Sequence, residues 1–98
     1  MENLEMLNFS KEDLQTLADN KQLIDVRTKE EFDEANIPGA ILHPLDEIDT
    51  FNLPKDREYY IYCRAGQRSA LAANYLEQFG YTANNLNGGI LSYLNNDE

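Results

Sequence analysis

The single cysteine of the chain, Cys63, closes the run Tyr59-Tyr60-Ile61-Tyr62 and opens the polar segment Arg64-Ala65-Gly66-Gln67-Arg68-Ser69. The run is aromatic and β-branched without polar alternation, the pattern of a central strand covered on both faces. From Ser69 onward the period changes: Ala70, Leu71, Ala72, Ala73, Tyr75, Leu76 and Phe79 recur at helical spacing, with Ser69 suited to the N-cap and Gly80 to the C′ position. A thiol on the loop between a buried strand and a helix start meets inward-turned backbone N–H groups and the partial positive charge of the helix end. Arg64 and Arg68 add two full charges. Such surroundings take a thiol pKa from about 8.5 to roughly 3.5–7.5, so Cys63 is expected to be a thiolate at neutral pH and the catalytic nucleophile. A small buried hydrophobe is the alternative reading of a lone cysteine, and it leaves Gly66 and both arginines unexplained.

The elements that must position this loop follow from local patterns. Leu23-Ile24-Asp25-Val26 reads as a strand, and Thr28-Lys29-Glu30-Glu31 is a capping box opening a short helix that carries Phe32 and Ala35. Sites in open parallel α/β sheets form outside the carboxyl ends of the strands, which places Asp25 and Arg27 on the same rim as Cys63. Asp25 is placed either to pair with Arg64 or Arg68 and fix the loop, or to cap residues 28–31. Arg27 is read as a structural ion-pair partner near the helix that starts at Thr28. Ile37-Pro38-Gly39-Ala40 has the form of a type II turn leading into an Ile41-Leu42 strand. Residues 45–51 form a short helix with Leu45, Ile48 and Phe51 inward. Residues 83–86 make a last strand, weakened by asparagines and therefore expected at an outer position, and Gly88-Gly89 turns the chain sharply. A further helix is expected from Ser10-Lys11-Glu12-Asp13, with Leu14, Leu17 and Ala18 as its apolar stripe. His43, beside Pro44, is read as an ordinary surface or half-buried residue and not a base.

Composition narrows the function classes. A chain of 98 residues suits one domain spanning residues 1–98. Its 8 basic against 18 acidic residues give a net charge of −10, which excludes nucleic acid and anionic membrane as partners. One cysteine forms no internal disulfide, which suits a reducing compartment. Residues 1–10 include Glu2 and Glu5 and no sustained apolar run, so neither a signal peptide nor a membrane span is expected there and a cytoplasmic location is. The sequence has no dinucleotide fingerprint or P-loop, and no cofactor or metal is expected.

Four segments in this order and spacing carry a resemblance: Asp25-Val26-Arg27 with Glu31-Phe32, Ile37-Pro38-Gly39-Ala40, Cys63 to Ser69, and Leu86-Asn87-Gly88-Gly89-Ile90. Across nearly its whole length the chain resembles the rhodanese-like sulfurtransferases in their single-domain form. The resemblance implies a three-layer α/β fold with a small, mostly parallel central sheet flanked by helices. It implies that Cys63 carries a persulfide, that Arg64, Ala65, Gly66, Gln67, Arg68 and Ser69 bind it and the substrate, and that Asp25 sits in a structural role beside the loop, with Arg27 nearby. It also places the Gly88-Gly89 turn against the site, with Ile90, Leu91 and Leu94 packing a final helix. Asn36 and Tyr93 stand where many relatives have His and Trp.

Loop length separates sulfur from phosphorus chemistry. Thiolate-loop phosphatases and arsenate reductases place their arginine after five intervening residues, whereas here Arg68 is the fifth residue after Cys63 and Ser69 the sixth. The shorter ring suits one outer sulfur better than a tetrahedral oxyanion. The expected reaction is a double displacement between a small anionic sulfur donor, such as thiosulfate or a thiol persulfide, and a thiol, cyanide or protein acceptor. The alternatives are a sulfur-relay module that serves one protein partner with little small-molecule turnover and, below it, a thiolate-loop phosphatase or arsenate reductase.

Overall fold

A computed structural model describes residues 4–6 and 20–95. Five strands, β1 (Leu4–Met6), β2 (Lys21–Asp25), β3 (Ile41–Leu42), β4 (Glu58–Tyr62) and β5 (Thr82–Leu86), form one sheet in the order β1-β5-β4-β2-β3. Every pairing is parallel, so the expected mostly parallel sheet is wholly parallel. Between the strands lie helix α1 (Lys29–Glu34), a 3₁₀ segment (Leu45–Thr50) and helix α2 (Gln67–Glu77), and after β5 comes helix α3 (Gly89–Asn95). The helix expected from Ser10 lies outside the described residues. No helix among the described residues is long and apolar enough to cross a membrane.

β4 is the central strand, as its unbroken apolar run requires. Its side chains alternate between two cores. Tyr59, Ile61 and Cys63 face Ala72, Ala73 and Leu76 of α2 together with Phe51, whereas Tyr60 and Tyr62 face Ile90 and Tyr93 of α3 together with Ile37. Cys63 therefore extends the α2-facing stripe by one step beyond the strand end, and the pleat sets which side of the sheet receives the thiol. Phe51, Tyr59 and Tyr81 close the far end of that core as a cluster of edge-to-face rings, with centroids 5.1–5.8 Å apart.

Local signals account for most of the connections. Thr28 and Glu31 form the reciprocal capping box at the start of α1. Gly39, at φ +91°, and the Ala40 N–H to Ile37 carbonyl bond of 3.1 Å make the expected turn at Pro38. Gly80, at φ +94°, ends α2 with its own N–H on Glu77 O and the Tyr81 N–H on Leu76 O, the paired bonds of a Schellman motif.

Three expectations are corrected. β5 is not an outer strand, because β1 pairs alongside it, Leu4 opposite Asn84 and Met6 opposite Leu86. A three-residue strand is too short to show a two-residue period, so nothing in the sequence pattern announces it. Ser69 is not the cap of α2: the helix begins at Gln67 with Gly66 at the N-cap, and the Ser69 side chain turns back into the site. In α3, Ile90 and Tyr93 are buried but Leu94 is exposed.

One long-range hydrogen bond ties the sheet to the turn that follows α1. The Tyr62 hydroxyl accepts from the Ile37 N–H at 3.0 Å, and both residues are fully buried. Tyr62→Phe leaves that N–H without its partner and should lower stability by about 1–3 kcal/mol, read as a shift in the urea midpoint with an unchanged slope.

Candidate active site

The site is built where β4 ends and α2 begins. Cys63 is 1% exposed, the burial of a structural cysteine, but its contacts are those of a charged group. The Gly66 N–H points at Sγ from 3.1 Å and the Ser69 N–H from 3.3 Å, and Ser69 Oγ lies 3.3 Å away. Burial pushes the Cys63 thiol up, and hydrogen bonds from the Ser69 hydroxyl and from the Ser69, Gly66 and Ala65 N–H groups more than offset it, so the thiol lies below its ordinary value. The loop turns the N–H groups of Gly66 and Ser69 inward, toward the sulfur. The arginines contribute less directly than their spacing suggests, since the donors around the sulfur belong to the backbone and to Ser69.

This inward aim depends on glycine. Gly66 takes φ +112°, which reverses the loop so that its N–H and that of Ser69 converge on one point. The second support comes from the Gly88-Gly89 turn. Ile90 N–H donates to Cys63 O at 2.9 Å and Leu91 N–H to Arg64 O at 3.1 Å, so the loop's carbonyls are drawn outward while its amides stay inside. A Cβ on Gly89 would run into the Cys63 carbonyl oxygen and lie 2.6 Å from Arg64 O. The turn abuts the loop as expected, and Gly89 serves that contact.

Asp25 pairs with neither Arg64 nor Arg68. It is fully buried and holds Arg27, with Oδ2 at 2.7 Å from Nη2 and Oδ1 accepting from the Arg27 backbone N–H at 2.9 Å and side-chain Nε at 3.0 Å. Arg27 also donates to Ala35 O at 2.6 Å and lies over the Tyr62 ring, 5.6 Å from its centroid. This buried pair knits the end of β2 to the end of α1, as the ion-pair reading of Arg27 anticipates. The acidic partner of Arg68 is Glu31 of α1, with two hydrogen bonds of 2.8 and 3.0 Å. Glu31 also accepts from the Thr28 N–H, so one carboxylate both caps α1 and anchors the loop. Arg68 above all holds the Glu31 carboxyl down at about 2; burial opposes this, and Thr28 assists. Arg64 is exposed at the loop's outer edge, and Ala65 and Gln67 are exposed beside it.

Asn85 is the residue that sequence reasoning passed over. It reaches across from β5, its Oδ1 2.5 Å from Ser69 Oγ and its Nδ2 3.3 Å from Gly66 O. The asparagines of this strand suggested an exposed edge, but a buried amide with partners on both ends is the other way such a residue satisfies its polarity. His43 lies elsewhere, its Nε2 between Glu47 O at 2.9 Å and Thr50 Oγ1 at 3.1 Å. Among the described residues no cluster of His, Cys, Asp or Glu is arranged to hold a metal.

A parallel sheet that hands a donor-wrapped thiol to the loop before a helix defines a class of α/β proteins with a hydrogen-bonded cysteine at the carboxyl end of the sheet. The chain belongs to the rhodanese-like domain family, whose model matches residues 10–96. It is 43% identical over 84 residues to a sulfurtransferase of Allochromatium vinosum, covering 81% of this chain and 78% of that protein. It is 37% identical over 82 residues to a tRNA sulfurtransferase of Desulfurococcus amylolyticus, of which it spans only 17%. A rhodanese-like domain protein of Staphylococcus aureus superposes with a TM-score of 0.74 at 35% identity, over 95% of this chain and 91% of that one.

The Glu31–Arg68 pair has a signed pH dependence. Its carboxyl titrates at about 2 in the fold against an ordinary 4.5, so the stability it adds is complete above about 4.5 and is lost as pH falls toward 2. Both side chains are partly exposed, 29% and 36%, which limits the contribution to roughly 0.5–1 kcal/mol. Glu31→Gln keeps a residue able to complete the capping box. Its urea midpoint should fall below that of the parent at pH 7, and the difference should shrink as the comparison is repeated from pH 4.5 downward.

Proposed function

We propose that this protein is a sulfurtransferase that takes a sulfane sulfur onto Cys63 and passes it to a second nucleophile. The observation that carries the reading is the direction of the loop amides. Gly66 and Ser69 aim their N–H groups at Sγ itself from 3.1 and 3.3 Å, the placement needed to stabilise charge on a sulfur at the loop's centre. In the first step the Cys63 thiolate attacks the outer sulfur of the donor. With thiosulfate, the sulfur–sulfur bond of the donor breaks, its electron pair leaves as sulfite, and Cys63 becomes a persulfide anion. An acceptor thiolate or cyanide then attacks the outer sulfur and returns Cys63 to the thiolate, with no net redox change.

The charge pattern bears on the donor. The formal net charge of −10 opposes a small dianion, and Arg68 is already committed to Glu31. Arg64, exposed on the loop, supplies positive charge at the mouth, acting within a Debye length of about 8 Å at physiological salt. This balance disfavours free small dianions and favours a protein-bound persulfide, whose carrier can present a complementary positive surface, and it gives the relay reading its support. The occurrence of a similar segment as a fraction of a longer tRNA sulfurtransferase fits the same module-like use. A cytoplasmic setting would keep Cys63 reduced between turnovers.

Intact mass after incubation with a donor and then with cyanide tests the proposal. The parent should gain one sulfur atom and lose it as thiocyanate, and Cys63→Ser should gain none. Loading by either small donor should quicken as ionic strength rises, because glutathione persulfide and thiosulfate are both about dianionic at neutral pH and the protein's net charge of −10 opposes both. A sulfur gain retained in Cys63→Ser, or no gain with either donor in the parent, would overturn sulfur transfer at this residue.

A further inference from the structure

The Ser69 hydroxyl has one proton and two groups in reach of it. Its Oγ lies 2.5 Å from Asn85 Oδ1 and 3.3 Å from Cys63 Sγ. The far side of Asn85 decides which of its atoms faces the serine. Asn85 Nδ2 sits 3.3 Å from Gly66 O, and a carbonyl only accepts, so the amide nitrogen must be on that side. The amide oxygen then faces Ser69 and takes the hydroxyl proton. While Cys63 is a thiol the set is complete, because its S–H can donate to Ser69 Oγ as Ser69 donates to Asn85. Once Cys63 is a thiolate the sulfur only accepts, and the hydroxyl must leave Asn85 to serve it. Asn85 is 3% exposed, so an amide oxygen abandoned there has poor access to water.

We propose that Asn85 is a positioning residue that competes with the Cys63 thiolate for the Ser69 hydroxyl proton and so sets how readily the sulfur ionises. The loop N–H groups stabilise the charge unconditionally, whereas the hydroxyl is available only at the expense of the Asn85 bond. Asn85 thus holds the thiol above the value that it would have with the hydroxyl free to serve it. A thiolate of very low pKa is a weaker nucleophile, so this restraint keeps the sulfur reactive. The remaining charges around the sulfur do not substitute for it. Arg64 on the loop, Arg68 of α2 with Glu31 of α1 bound to it, and Asp25 with Arg27 beyond β2 are fixed by their own partners or by exposure, and none holds the hydroxyl. The inference deepens the proposed nucleophile role but concerns the free thiol, and it stands whichever donor is used.

The test is a double-mutant cycle read as the Cys63 pKa, from the pH dependence of iodoacetamide alkylation and of ultraviolet thiolate absorbance, neither of which needs a sulfur donor. Gly66 O keeps the Ala70 N–H at 3.2 Å, so removing the Asn85 amide does not orphan it. Ser69→Ala should raise the pKa. Asn85→Leu should move it downward by about one unit more where Ser69 is present than in the Ser69→Ala background. Equal shifts in the two backgrounds would overturn the proposal and reduce Asn85 to a packing role. The unaltered protein gives a second reading that does not depend on the variants folding. The side-chain carbonyl carbon of Asn85, followed by NMR, should shift with the same midpoint as the thiol, and a signal that stays still through that titration would overturn it as well.

Discussion

A sulfur that is to carry charge while almost wholly withdrawn from water must be given its hydrogen bonds by the chain, and much of this structure answers that demand. Strand parity puts Cys63 on the α2 side of the sheet. A left-handed glycine then folds the next residues back over it so that amides point in. The carbonyls at the start of the loop also need partners, and the Gly88-Gly89 turn brings the N–H groups of Ile90 and Leu91 to Cys63 O and Arg64 O. Amides inward and carbonyls outward are two halves of one arrangement. A side chain at Gly89 would break it from outside the loop, without touching the sulfur.

The charges form a chain of supports and do not converge on the thiol. Asp25 and Arg27 are both buried and satisfy each other, which fixes the corner between β2 and α1. Breaking such a pair from one side typically costs about 3–5 kcal/mol, because it strands a buried charge. From that corner α1 projects Glu31, and Glu31 holds Arg68 at the start of α2. Asp25 is thus linked to the loop at one remove, through Arg27, α1 and Glu31. The arginine spacing that looks like a cationic cradle resolves into one anchor, Arg68, and one exposed charge, Arg64.

Legibility in the sequence followed the range of the interaction. The central strand, the capping box at Thr28, the turn at Pro38-Gly39 and the loop after Cys63 are set by neighbours a few residues apart, and each could be read from its own residues. Asp25 shows where this fails. Its position near the sheet rim was foreseeable, but whether it reached Arg64, Arg68 or Arg27 depended on a side-chain direction that no spacing encodes. Ser69 looks like a helix cap by type, and it is diverted by Asn85, a residue on another strand. Asn84 and Asn85 read as an exposed edge because β1, the strand that covers β5, is three residues long and leaves no periodic trace. The family resemblance supplied the three-layer, mostly parallel architecture where these local arguments ran out, but neither β1 nor the inner place of β5.

An all-parallel sheet has a kinetic consequence for the site. Among the described residues no two strands are joined by a hairpin, and each of these pairings must wait for a crossover to close over a long stretch of chain. The groups that contact the sulfur come from the loop and α2, and those that hold the loop come from α1, β5 and the turn into α3, so the site assembles only when those crossovers are complete. The lowering of the Cys63 thiol below its ordinary value is therefore a late product of folding. During synthesis the cysteine emerges before Asn85 and the Gly88-Gly89 turn exist, and its reactivity at that stage is that of an ordinary thiol.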